Sequence, residues 1–191
     1  MKFIQTPTSE ELEEELKREQ YKHRYRRTLR SSVFILITAA AAAVLVAMLW
    51  LPVLQIYGAS MTPTLREGDY VVSLKNSHFE QGDVIGFYFG NKLLVKRYIA
   101  GPGDWVEILE DGTMVVNGNE LEEPYINEKS FGGCDLQLPY QVPEGKYFLV
   151  GDHRETSVDS RHTTVGCISA DDIVGKIVYR IWPLDTMGIV E

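Results

Sequence analysis

Three places in the chain have residue types and spacing that could do chemistry together. The first is Ser60, in YGASMTPTLREGD (residues 57–69), beside a proline-bearing turn. A serine hydroxyl is a poor nucleophile until a neighbouring base takes its proton, so the chain must also supply that base. A serine near a turn more often only bonds to backbone, so Ser60 alone decides nothing. His23, His78, His153 and His162 leave a Ser-His-Asp arrangement open. Against it, no Gly-x-Ser-x-Gly elbow exists, and the strand–helix alternation that elbow needs is missing. The other option is a serine–lysine dyad.

Lys96 is the lysine that fits. It sits inside LLVKRYIA (residues 93–100), a strongly apolar run. In a strand it shares a face with Leu94 and Tyr98, while Arg97 points the other way with Val95 and Ile99. An ordinary lysine, with a pKa of about 10.4, is protonated at neutral pH and cannot act as a base. Burial among apolar groups lowers that value; bringing it to about 7–8 takes roughly 3–5 kcal/mol. The plainer reading is a lysine snorkelling from a sheet edge. The third place is GDHRETSVDSR (residues 151–161), which gathers Asp152, Arg154, Glu155, Asp159 and Arg161 around short hydroxyl side chains. It reads either as a surface loop of weak ion pairs or as a set of groups that orients a buried base.

The elements that must position these residues begin with a membrane segment. VFILITAAAAAVLVAMLWL (residues 33–51) carries no charge. As a helix its 19 residues would span roughly 30 Å, close to the hydrocarbon thickness. A buried core helix would keep a polar face, and a cleaved secretory signal would have a shorter apolar region. Basic residues crowd the N-terminal side, from Lys17 to Arg30, whereas Arg66 is the first to follow the span. The positive-inside rule therefore puts the N-terminus in the cytoplasm and residues from about 52 onward outside. Glu10 to Glu19 reads as a short solvated helix, Trp50 as an interfacial aromatic and Pro52 as the helix stop. The expected organisation is a cytoplasmic tail (1–31), a transmembrane helix (32–51) and an extracytoplasmic domain (52–191).

Beyond residue 65 the pattern is beta. YVVSL, DVIGFYF, LLVKRYIA, WVEIL, TMVVNG, YFLVGD and DIVGKIVYRIWP are short apolar runs separated by turn residues. Asp111-Gly112 and Asn117-Gly118 are hairpin signals. The expected fold is mainly β, a coiled sheet or partly closed barrel. Residues 121–146, with few strand signals, are expected to form a long irregular loop.

Composition narrows the function classes. The formal net charge is -8, and residues 32–191 alone hold 11 basic against 21 acidic side chains. That balance argues against nucleic acid as a partner. The two cysteines, Cys134 and Cys167, and the scattered histidines make no metal-ligand spacing, and no nucleotide-binding loop is present; no cofactor or metal is expected. Outside the cytoplasm the cysteines could pair, although two cysteines alone do not specify a disulfide.

Taken together, the segments resemble the type I signal peptidases, the leader peptidases of bacteria. The resemblance runs from the apolar span to the C-terminus, with its motifs in order. SMTPTL (60–65) is similar to the family's nucleophile box and VKRYIAGPGD (95–104) to its lysine box. GDYVV and QGDVIGF resemble the strands between them, and VNGNELEEPYI (116–126) and GDHRETSVDSR the remaining signatures. The resemblance implies a membrane-anchored serine endopeptidase that removes signal peptides from exported precursors after Ala-x-Ala-type sites. By position it implies Ser60 as nucleophile, Lys96 as general base and Ser157 as the residue that orients the amine. It also implies an oxyanion donor in the backbone N–H of Ser60, Met61 setting the site against lipid, and structural ion pairs from Arg97, Asp152, Asp159 and Arg161.

Three departures stand out. His153 replaces the family's usual asparagine, Gly58 stands where some members carry a second oxyanion serine, and IAGPGD varies a loop. Rival readings are a self-cleaving repressor, a non-enzymatic assembly factor, a peptidase with a narrow substrate set such as pilins, and a structural anchored β domain. Retention of Ser60 and Lys96 weighs against a non-enzyme, and the span and acidic domain weigh against a repressor.

Overall fold

The computed structural model describes residues 9–75 and 77–190. Residues 1–8, part of the expected cytoplasmic tail, lie outside these, as does the Trp50 side chain. The chain divides into two compact units, one ending at Ala47 and the other beginning at Met48.

The first unit is helical. A single α-helix, α1 (Ser9–Trp50), runs through both the Glu-rich stretch and the apolar stretch. The short solvated helix expected over Glu10–Glu19 is thus continuous with the span. Nothing between them breaks a helix: the sequence there has no proline or glycine, and Glu19 pairs with Lys22 at 2.7 Å, one turn apart. By length and composition the helix can cross a membrane, and its apolar side chains, such as Leu36 and Leu45, are exposed. It ends at Trp50, two residues before Pro52, whose missing N–H and ring forbid its continuation.

The second unit is the β domain. Its larger sheet has eight strands: β1 (Val53–Gln55), β2 (Tyr70–Leu74), β3 (Val84–Phe89), β4 (Lys92–Ala100), β9 (Lys146–Val150), β10 (Ile168–Ser169), β11 (Ile173–Trp182) and β12 (Gly188–Ile189). The order is β1-β2-β11-β3-β4-β9-β10, with β12 on β11, and every pairing is antiparallel. A smaller sheet orders β7 (Asn119–Glu120), β6 (Met114–Val116), β5 (Trp105–Ile108) and β8 (Tyr140–Gln141). Asn117 and Gly118 join β6 to β7 with positive φ at both residues, as a primed hairpin turn requires.

Alternating side chains along β4 feed separate parts of the core. Val95 packs in a cluster with Met61, Leu65, Val71 and Val84, while Leu94 and Tyr98 pack with Ile85, Phe87 and Leu149. Ile99 belongs to a third cluster with Val106, Met114 and Phe148, which joins the smaller sheet to the larger. Residues 121–145 are irregular except for β8, close to the expected loop of 121–146, and Leu136 and Leu138 are packed against that third cluster. Both cysteines are free thiols serving as small apolar groups there, Cys167 buried and Cys134 partly so.

Candidate active site

The turn after β1 presents Ser60. Thr62 closes it, donating to the Ala59 carbonyl from its backbone N–H at 3.1 Å and its hydroxyl at 2.7 Å. The Leu65 N–H then bonds the Met61 carbonyl at 2.8 Å. Met61 is 2% exposed and pins the turn to the core beneath it. On the other side, the His153 N–H donates to the Ser60 carbonyl at 3.1 Å, tying the turn to the 151–161 loop. Because this bond uses backbone, it does not need the asparagine that His153 replaces. The His153 ring lies 2.8 Å from Thr156 Oγ1. Gly58 has φ +80°, a conformation that disfavours a serine there even though the space is open.

Lys96 enters from the middle of β4, where it pairs with Ile85 of β3. Its Nζ lies 2.6 Å from Ser60 Oγ and 3.0 Å from Ser157 Oγ, and the residue is 4% exposed. Lys96 makes no ion pair among the described residues. Burial therefore dominates and lowers its pKa from 10.5 to about 8, with Arg161 acting in the same direction and Asp159 and Asp152 opposing. Lys96 itself is buried, within a strand whose apolar residues are partly or fully so, and the snorkelling alternative is set aside.

Ser157 is held by the geometry of its loop. Its N–H bonds the His153 carbonyl at 3.1 Å, and its hydroxyl lies against Gly151. A methyl group at Gly151 would collide with Ser157 Oγ and would come within 2.5 Å of the Ser60 carbonyl. Glycine is therefore the residue that lets the nucleophile turn and the Ser157 loop approach. The Gly151 N–H is fixed by Asp159 Oδ2 at 3.0 Å.

Around this centre lie three buried arginine–carboxylate pairs. Arg97 grips Asp152 through Nε at 2.8 Å and Nη2 at 2.7 Å. Arg161 grips Asp159 at 2.9 Å through Nε and again through Nη2, and Arg154 grips Glu123 through both terminal nitrogens. Asp152 also accepts from Thr64 Oγ1 at 2.5 Å, on the segment that follows Ser60. Burial favours protonation of Asp159, but the Arg161 hydrogen bonds and charge outweigh it and hold the carboxyl below its usual range. The eight residues that the resemblance implies for the site, Ser60, Met61, Lys96, Arg97, Asp152, Ser157, Asp159 and Arg161, thus lie in or beside one centre. Sequence reasoning missed Thr64, Gly151, Glu123, Tyr125 and the pairing of Arg154. Glu123 and Tyr125 lay inside the quoted signature VNGNELEEPYI without an assigned role.

A groove of about 560 Å³ leads to Ser60 and Lys96, with residues 53–58 on one side and 92–96 on the other. β1 is the edge strand of its sheet. β4 pairs with β3 along this stretch, while its pairing to β9 begins at Arg97. Two strand edges thus line the groove, with apolar side chains such as Leu54, Ile56 and Val95 between them.

The model of the family "Signal peptidase, peptidase S26" matches residues 29–182. Signal peptidase IB of Staphylococcus aureus (strain COL) is 40% identical over 148 residues, covering 67% of this chain and 76% of that protein. Signal peptidase I of Bacillus licheniformis is 34% identical over 164 residues, or 79% of this chain and 87% of that one. The crystal structure of a signal peptidase I from Enterococcus faecalis V583 aligns with TM-score 0.45 and 29% identity, covering 52% of this chain and 97% of that one. On the family match and these identities, the chain belongs to the signal peptidase family, peptidase S26, and is a serine peptidase that removes signal peptides.

Proposed function

We propose that Ser60 is the nucleophile and Lys96 the general base of this peptidase, with Ser157 orienting the amine. The contact of 2.6 Å between Lys96 Nζ and Ser60 Oγ carries the reading. Neutral Lys96 takes the Ser60 proton as Oγ attacks the scissile carbonyl, and its spare N–H donates to Ser157. The Ser60 backbone N–H stabilises the oxyanion. The resulting ammonium returns the proton to the departing amine of the mature chain, leaving the signal peptide esterified to Ser60. Lys96, neutral again, then activates a water that hydrolyses the ester. With a pKa of about 8, roughly one lysine in ten is neutral at pH 7, against fewer than about one in a thousand for an ordinary lysine.

The substrate side of the scissile bond runs extended through the groove, adding backbone hydrogen bonds to the edges of β1 and β4. The apolar lining suits small residues before the cut, in line with Ala-x-Ala-type sites. α1 is a single membrane span with its N-terminus in the cytoplasm, supported by the basic residues ahead of the apolar stretch, and the β domain is extracytoplasmic. The lipid surface concentrates both enzyme and anchored precursor, as tethering raises effective concentration. The close Ser60–Lys96 contact favours this reading over a non-enzymatic assembly factor.

The test is cleavage of a precursor bearing an Ala-x-Ala site by the full chain in detergent or lipid. Wild type is expected to cut after the small residue. Ser60→Ala and Lys96→Ala are each expected to lose at least about 1,000-fold in kcat/KM while staying folded. Full activity in either variant refutes the dyad.

A further inference from the structure

The signature VNGNELEEPYI is explained neither by the nucleophile nor by its base. Within it, Glu123 is buried and accepts from Arg154 Nη1 at 3.0 Å and, in a shorter contact, from Nη2. Tyr125 donates its hydroxyl to Glu123 Oε1 at 3.0 Å, and its ring centre lies 3.6 Å from the Arg97 guanidinium. Burial and then the Glu123 charge push the Tyr125 phenol far up, so it remains a donor. One short segment therefore holds two buried arginines, one through a carboxylate and one through a ring face.

Each arginine reaches the centre by its own route. Arg97 bonds Asp152, and Asp152 accepts from Thr64 on the segment that follows Ser60. Arg154 Nε donates to the Gly151 carbonyl at 3.1 Å, where Gly151 separates Ser157 Oγ from the Ser60 carbonyl. The Arg154 carbonyl in turn accepts from Arg161 Nη2 at 2.8 Å, the residue paired with Asp159.

We propose that Glu123 and Tyr125 are positioning residues for the reaction: a clasp that holds Arg97 and Arg154 together and so sets the spacing of Ser60, Lys96 and Ser157. The proposal rests on the dyad reading above. The competing account is an ion pair that serves stability alone. A buried pair is weak evidence of a stabilising role, since two desolvated charges often gain little over apolar replacements.

The experiment measures kcat and KM separately, from pH 6 to 10, for the full chain in detergent micelles acting on a precursor. Glu123→Gln and Tyr125→Leu are expected to lower kcat at least about tenfold while KM stays within about twofold, as expected when reacting atoms are misplaced. Their ascending pH limb moves toward the ordinary lysine range, because a loosened frame admits water to Lys96 beside Asp159, Asp152 and Arg161. Lys176→Met, which breaks the partly exposed pair with Asp83, is the control and changes neither. The double variant Glu123→Gln/Arg154→Met removes both charges; it is expected to recover the melting temperature lost in Glu123→Gln but not kcat.

Recovery of kcat together with melting temperature in the double variant would overturn the clasp. So would wild-type kcat and pH limb in Tyr125→Leu, the half-buried position that carries the test if Glu123→Gln fails to fold. Activity surviving in Ser60→Ala or Lys96→Ala would instead strike the dyad beneath it.

Discussion

The lysine pocket and the arginine frame around it handle buried positive charge in opposite ways. Arg97, Arg154 and Arg161 each face a carboxylate at hydrogen-bond distance, and all six side chains are fully buried. Lys96 is buried as well, but its nearest partners are two hydroxyls. The frame keeps its charges by neutralising them locally. The pocket withholds a counter-charge, so burial makes the ammonium unfavourable and the neutral amine accessible. The side-chain types fit this division: guanidinium keeps its proton and matches a carboxylate with two bonds, whereas an amine yields its proton when desolvated. On the proposed dyad, the burial that holds structure at Arg97 serves chemistry at Lys96, one residue away.

Breaking the frame gives the largest expected effect. Asp152→Ala removes the carboxylate that takes two of the buried Arg97 guanidinium's bonds and should cost about 3–5 kcal/mol of stability, measurable by chemical denaturation. The opposite manipulation, Lys96→Met, removes a charge that the fold does not neutralise. The shift of Lys96 from 10.5 to about 8 corresponds to about 3 kcal/mol. Below pH 8 both folded and unfolded chains hold the proton and the full penalty applies. Between about 8 and 10.5 the unfolded chain holds more protons, so wild-type stability rises with pH. Lys96→Met should therefore be inactive yet more stable than wild type by up to about 3 kcal/mol at pH 7, with the gap closing by about pH 10.5. Denaturation curves at the two pH values read this directly.

Gly151→Ala sharpens the comparison at the seam between pocket and frame. Its methyl group would force Ser157 Oγ and the Ser60 carbonyl apart, and kcat should fall about 100-fold in precursor cleavage.

Much of this centre was legible from local pattern. The beta runs became strands at nearly the expected bounds, and Asn117-Gly118 turned as its residue types require, because both signals are set by neighbouring residues. Lys96 stood out because a charge inside an apolar run must either escape or be desolvated. The frame was less legible. Glu123 meets Arg154 31 positions away and Thr64 meets Asp152 88 away, and neither pairing leaves a periodic trace. Residues 121–146 lacked strand pattern and read as a long irregular loop, and that irregular backbone is what brings Glu123 and Tyr125 to two different arginines. Gly151 was hidden for another reason: its role is the absence of a side chain, visible only once Ser60 and Ser157 are seen beside it.

The most direct test of the central claim is the pH dependence of kcat/KM for precursor cleavage by the wild-type chain between pH 6 and 10. Only the neutral amine can take the Ser60 proton, so activity should rise with pH along a single limb centred near 8. A limb centred at about 6.5, the ordinary range of a histidine, or a rate independent of pH, would contradict Lys96 as the base.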